Sequence, residues 1–290
     1  MTKQIPDIVL SFARRCAKRT ALLNVAILMV TVVAFVSCGE EPKPEAQTIH
    51  VLEYCPAMGQ FVNVLPQYQE GFTAEDMCRE AERYLNAGSV ITLGGFGGYV
   101  TMSLDSPVKN RQGYDFRITG NAFRQQGSDE YGNSEPGAVW VSRDENGNGK
   151  PDDAWYELAG SDHFLETTIH HYTKVWHKSD TTMRNPFHTQ PYFPQWLQDT
   201  VITATGTRLA SVAKTTGGVV SQRIRDYGYA DNKPNNDIEG TSFDLDWAVD
   251  AEGRQVKLES CDFVRVVTAV DEVFAQIGEL STEVAGLVVD

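Results

Sequence analysis

Hydrophobic residues follow three different spacings along this chain. The first is a solid block: residues 20–37 (TALLNVAILMVTVVAFVS) run for 18 positions without a charge. The second is helical. Ala74, Met77, Ala81, Tyr84 and Leu85 recur every three or four residues, which puts them on one face of a helix over 73–87. Thr73 can cap it, Asp76 holds the capping-box position three residues later, and Gly88 stops it. After Gly88 the period drops to two. Strand candidates are 89–93, 98–104, 114–120, 138–143, 154–158, 170–176, 201–209, 241–249, 263–270 and 279–289. Gly-Gly, Asn-Gly, Glu-Gly and Ser-Pro turns separate them. Many short strands with this punctuation predict an all-β antiparallel sandwich or barrel behind one short helix. Strands and helices do not alternate, which argues against a Rossmann-type fold. Residues 50–68, with Pro56, Gly59 and Pro66, read as an extended arm. Connections 178–199 and 214–240 exceed the about 12–15 residues usual for structureless loops, and such loops tend to carry function.

Charge changes the picture at the N-terminus. The 290 residues hold 25 Lys and Arg against 39 Asp and Glu, a net charge of −14. Lys3, Arg14, Arg15, Lys18 and Arg19 precede the apolar block with one acid, Asp7, so residues 38–290 carry −18. A surface this acidic repels phosphate backbones and excludes a nucleic-acid partner. A basic stretch followed by an apolar block is a targeting signature, and residues 1–37 read as a signal peptide. It ends in Val36-Ser37-Cys38-Gly39, which resembles the bacterial lipobox, with Phe35 where Leu is usual. A plain anchor helix is the other reading of a block this long. On the lipobox reading Cys38 is lipidated and anchors the protein to the membrane. Residues 38–49 are rich in Pro and Glu, bury little apolar surface and form a flexible acidic tether. That tether is similar to the surface-export signal of Bacteroidetes lipoproteins, which implies an outer-membrane location facing the cell surface. Residues 50–290 then form a single domain. Cys55, Cys78 and Cys261 remain in an oxidising compartment, either with a Cys55–Cys78 bridge or as small buried apolar residues.

The sharpest chemical motif is Asp144-Glu-Asn146-Gly-Asn148-Gly149-Lys150-Pro-Asp152-Asp153. Side-chain oxygens at positions 1, 3, 5 and 9, Gly at 6 and the Lys150 carbonyl at 7 match the spacing that wraps oxygen ligands around Ca2+. Position 12 is Trp155 rather than Glu, so Asp153 or Glu157 would complete the shell. The competing reading is an Asn-Gly hairpin turn with solvated acids. Gly94-Gly95-Phe96-Gly97-Gly98 lacks phosphate-loop spacing and reads as closely packed turn glycines. His163, His170, His171 and His177 show no spacing that gathers three on one face with a carboxylate. Phe187, Tyr192, Phe193 and Trp196 crowd a Pro-rich loop, which either offers flat aromatic faces to a ligand or seals one end of the sandwich. Arg223, Arg225, Tyr227, Tyr229, Asp231 and Asn232 form a second polar-aromatic patch, from which Arg225 and Tyr229 join the candidate ligand contacts. In 243–249 Phe243, Leu245, Trp247 and Val249 face the core, and Asp244 and Asp246 face away. No nucleophile elbow, HExxH or Cys/His pattern is present. A non-catalytic role follows, with a glycan-processing hydrolase using paired carboxylates as the alternative.

Several strings taken together carry a resemblance: 88–109 (GSVITLGGFGGYVTMSLDSPVK), 113–124 (GYDFRITGNAFR), 134–162 (SEPGAVWVSRDENGNGKPDDAWYELAGSD), 243–251 (FDLDWAVDA) and 262–271 (DFVRVVTAVD). They resemble the Bacteroidetes "cell surface protein" lipoproteins, over most of residues 50–290. The resemblance implies a jelly roll like a carbohydrate-binding module. It implies a partner TonB-dependent outer-membrane transporter with associated surface lipoproteins, including YncE-like proteins, in loci that include vitamin B12 uptake. The expected function is capture of a nutrient, a corrinoid or a glycan. A structural or adhesive surface protein is the remaining alternative.

Overall fold

The computed structural model describes residues 47–180, 188–275 and 277–289. The expected signal peptide over 1–37, Cys38, nearly all of the expected tether over 38–49, and Phe187 lie outside the described residues. Every strand ladder is antiparallel. Eight strands frame the candidate site: β1 (Ile49–Cys55), β2 (Tyr99–Lys109), β3 (Gly137–Ser142), β4 (Trp155–Leu158), β5 (Ile169–His177), β6 (Val201–Arg208), β7 (Ala248–Val249) and β8 (Ser260–Thr268). Six of them form the largest sheet, in the order β1-β2-β8-β3-β4-β7, while β5 and β6 pair by themselves. The protein is all-β, as expected, with one short α-helix among the described residues.

Alternation gives the large sheet two unlike faces. Val100 and Met102 of β2, Val264 and Val266 of β8, Val139 and Val141 of β3 and Leu158 of β4 are buried in one hydrophobic core. The same core takes in Phe116, Ile118, Phe243 and Leu287 from a three-stranded sheet built by Phe116–Thr119, Ser242–Phe243 and Gly286–Val289. The Phe116 and Phe243 rings stack there at 5.4 Å. Tyr99, Thr101, Arg265, Trp140 and Glu157 occupy the intervening positions and belong to the opposite face.

The helix spans Ala74–Asn86 and starts as expected. Thr73 Oγ1 accepts from Asp76 N at 3.2 Å, and Asp76 Oδ2 accepts from Thr73 N at 2.8 Å. Met77, Ala81 and Leu85 are buried, whereas Ala74 is exposed. The expected arm over 50–68 begins instead with a strand. Strand β1 is an edge, and the helix covers it: Glu82 accepts from Val51 N and Asn86 from Ile49 N, both at 3.0 Å. An edge so satisfied is a poor template for pairing with other chains.

Two long strand expectations break. Residues 241–249 give Ser242–Phe243 and β7, split by a 3-10 turn at Leu245–Trp247. Asp244 caps that turn by accepting from Asp246 N at 2.8 Å, an alternative to the ladder that Asp offers its own backbone. Residues 279–289 divide into Gly278–Glu279, Glu283–Val284 and Gly286–Val289. Conversely, connection 214–240 holds a hairpin, Ala213–Thr216 with Val219–Arg223. Its turn is Gly217-Gly218, both at positive φ (61° and 83°), the conformation that tight hairpins require. Cys55 is exposed, Cys78 half-buried and Cys261 buried, and all three are free thiols.

Candidate functional site

Strand register lines up five side chains across the outer face of the large sheet. Glu53 of β1 pairs with Thr101 of β2, Thr101 with Arg265 of β8, Arg265 with Trp140 of β3, and Trp140 with Glu157 of β4. Arg265 is the centre of this row. Its Nε donates to Thr101 Oγ1 at 2.8 Å and one terminal nitrogen to Glu53 Oε2 at 2.6 Å. Its guanidinium lies 4.6 Å from the Tyr99 ring centre and 4.0 Å from that of Trp155. Planar cation and aromatic faces attract electrostatically, so the rings and the guanidinium hold one another in place.

Strand β6 overhangs this face and turns it into a trough. One half, about 450 Å³, is lined by Tyr99, Trp140, Trp155, Trp196, Arg265 and the Ile202–Gly206 stretch of β6. The other half, about 460 Å³, shares Trp140, Thr205 and Gly206 and continues to Glu157, His163, His170 and the turn at Asp250 to Gly253. Phe164, 69% exposed, stands at that end. The trough therefore presents aromatic faces beside a cation, with a polar end.

The polar end gathers two of the four histidines with one carboxylate. Glu157, His163 and His170 each offer a ligand atom within 4.8 Å of the others. Glu157 Oε1 meets His163 Nδ1 at 3.2 Å, and its other oxygen accepts from Thr207 Oγ1. His170 Nδ1 lies 3.3 Å from Thr207 Oγ1 and its Nε2 lies 3.1 Å from His163 O. Each group already has a protein partner, so the trio is a closed hydrogen-bond network that stiffens the floor. Sequence spacing missed it because Glu157, His163 and His170 come from different elements.

The other carboxylates lining the trough, Asp250 and Glu252, are paired with Arg254, and Glu53 at the end of the row is held by Arg265 and Thr101.

The 144–153 loop joins β3 to β4 and sits beside this trough. Asp144 accepts from Asn148 N at 3.0 Å and Gly149 N at 2.8 Å. Asn146 Oδ1 accepts from Asn148 N, and Asn148 Oδ1 from Lys150 N. Gly147 and Gly149 take φ of 71° and 70°. Asn146 Nδ2 reaches both Asp152 and Asp153, and Asn148 Nδ2 reaches Asp152, at 3.1–3.3 Å. These amides hold the Asp152 carboxyl below its ordinary range. The expected ligand side chains thus converge. The two Asn oxygens face backbone N–H groups and the two NH2 groups face the Asp carboxylates, so a cation here would take the carboxylate oxygens in place of those amides. The loop also steadies the trough, because Trp155 Nε1 donates to Pro151 O at 3.3 Å.

The expected aromatic platform is corrected. Tyr192, Phe193 and Trp196 are 3%, 4% and 6% exposed. Trp196 stacks on Tyr54 and Tyr68 at 5.9 and 6.2 Å, and Tyr192 packs with Met58, Phe96 and Trp176. The loop is drawn inward by Asn63, whose amide donates to Pro191 O and Phe193 O and accepts from Gln195 N. Backbone groups so satisfied can be buried. Of the three, Trp196 still borders the trough. Arg225 and Tyr229 are corrected likewise, being 0% and 2% exposed. Arg225 donates to Arg223 O and Ala210 O, and burial lowers its pKa to about 10. Tyr229 Oη accepts from Asp162 N. Both hold loops together.

The chain matches no family model and no curated protein. Its functional reading therefore rests on the trough. Arg265, Trp140 and Trp155, which dominate it, were absent from the sequence-based candidates. The only signal for them was aromatic and charged residues at alternate positions of strands.

Proposed function

We propose that this is a non-catalytic surface lipoprotein, anchored through Cys38, that captures a nutrient glycan in the trough for a TonB-dependent transporter. In this reading the sheets form a jelly-roll sandwich and Ca2+ sits in the 144–153 loop. The observation that carries it is the Tyr99–Arg265–Trp155 group beside Trp140, in an open trough. Sugar rings have apolar faces that lie on aromatic rings and hydroxyls that bond to Arg and carboxylates. The resemblance adds the anchor, the surface location and the transporter.

The test is a glycan array followed by calorimetry, with cyanocobalamin measured in parallel. Trp155→Ala is expected to weaken glycan binding about 30-fold, the equivalent of the roughly 2 kcal/mol lost with a buried Trp contact. Binding of cyanocobalamin alone would make the cargo a corrinoid. Unchanged affinity in Trp155→Ala would place the site elsewhere.

Calcium in the loop has its own test. Asp144→Asn with Asp152→Asn is expected to lower the melting midpoint in millimolar Ca2+ by about 5–10 °C, as losing a saturated ligand does. It should also weaken trough binding, since Trp155 leans on Pro151. An unchanged midpoint removes calcium from this loop.

A further inference from the structure

Three acidic residues far apart in sequence, Glu135, Glu279 and Glu283, line a second cavity, and a fourth, Asp231, lies against two of them. Glu135 precedes β3, Asp231 follows the Val219–Arg223 strand, and Glu279 and Glu283 belong to the last short strands. Glu135, Asp231 and Glu283 each bring a carboxylate oxygen within 4.8 Å of the other two. Asp231, Glu279 and Glu283 are buried, and Glu135 is partly open because it borders a cavity of about 340 Å³. Among the described residues, none of the four pairs with Lys, Arg or His.

Two further buried oxygens line the same cavity without any hydrogen-bond partner: Gln60 Oε1 and Glu279 Oε2. Gln60 is 6% exposed and Glu279 2%. Their other atoms are fixed. Gln60 Nε2 donates to Ile277 O at 2.6 Å, and Glu279 Oε1 accepts from Gln60 N at 2.6 Å. The remaining oxygen of each is left without a partner, on residues that line the cavity. Buried polar atoms are nearly always satisfied, by protein, water or an ion.

Asp231 Oδ1 accepts from Asn121 N and Ala122 N, and its Oδ2 from Glu283 N, at 2.8–2.9 Å. Backbone amides on both oxygens favour the charged carboxylate. Burial meanwhile pushes the Glu135, Asp231, Glu279 and Glu283 carboxyls up from their ordinary values. Carboxylate oxygens gathered this closely, beside two buried oxygens without a hydrogen-bond partner, suit a positive partner. The donors are all oxygen, several are carboxylates, and the cavity has room for water, which together suit a hard ion with six to eight ligands.

We propose that this cavity is a cation site in which Glu135, Asp231 and Glu283 ligate a divalent ion of the calcium class, with Gln60 and Glu279 completing the shell directly or through water. The site is separate from the 144–153 loop and does not rest on the proposed function. It ties Glu135, Asp231 and the C-terminal strands together.

The experiment removes the loop first. The Asp144→Asn/Asp152→Asn protein is stripped with chelator, titrated with Ca2+ at pH 7.5 and counted by native mass spectrometry. One Ca2+ per chain is expected, with a rise in melting midpoint. Adding Glu283→Gln, or Glu279→Gln if the first loses its near-UV circular dichroism, should abolish that ion or weaken it at least tenfold. No bound ion and no rise in the loop variant would overturn the proposal. Retention of the ion at full affinity in a folded Glu283→Gln protein would overturn it equally.

Discussion

Gly98→Ala is expected to destabilise the protein by about 4 kcal/mol or more. Ala57 N donates to Leu93 O at 3.0 Å, and a Cβ on Gly98 would overlap both of those atoms. The methyl would sit inside a buried hydrogen bond. Separating the pair strands a buried donor and acceptor at about 1–3 kcal/mol each, and forced overpacking adds about 1–3 kcal/mol. Gly98 is not at positive φ, so the effect is steric alone. Gly206→Ala is the control: its Cβ would stand 3.9 Å from Phe96 and Val267, an ordinary contact. A urea titration should place Gly206→Ala within about 1 kcal/mol of the parent. Gly98→Ala should melt about 10–15 °C lower, at roughly 2–4 °C per kcal/mol for a domain of this size. Comparable stability for the two variants would refute the packing account of the Gly94–Gly98 turn.

Asp231→Ala is expected to cost about 3–5 kcal/mol. Asp231 is 3% exposed and its carboxylate is the acceptor for Asn121 N, Ala122 N and Glu283 N. Removal strands two buried donors, Ala122 N and Glu283 N, at about 1–3 kcal/mol apiece, and frees a third, Asn121 N, that is only partly buried. The backbone at Asp231 has φ of 50°, a left-handed conformation that Asp and Asn tolerate better than Ala by about 1 kcal/mol. Relief of repulsion from Glu135 and Glu283 offsets part of this. Asp231→Asn keeps an acceptor oxygen and the tolerance for positive φ, and should lose less than half as much. Denaturant melts of the two variants in chelator, where no cation contributes, measure the difference. Equal losses would mean that charge, not backbone acceptance, is the residue's stabilising role.

The helix, the turn glycines and the loop over 144–153 were legible in the sequence because each is settled by neighbours in the chain. Thr73 and Asp76 are three residues apart, and the hydrogen bonds that shape the 144–153 loop span two to eight residues. Gly94 and Gly97 adopt positive φ, which the backbone chemistry of glycine supplies. Period-two alternation likewise predicted most strands and the all-β class.

What alternation could not say is which face becomes core. Tyr99, Arg265, Trp140 and Glu157 became a trough, and their neighbours a core, through pairings such as Arg265 with Glu53, 212 residues apart. The inward turn of Tyr192, Phe193 and Trp196 was settled by Asn63, about 130 residues earlier. Glu135 and the three buried acids Asp231, Glu279 and Glu283 came together through two strand pairings and two loops. Local spacing thus determined the elements and the oxygen-rich loop. Only tertiary structure decided the faces, because strand register and burial arise from contacts between distant segments that no local pattern encodes.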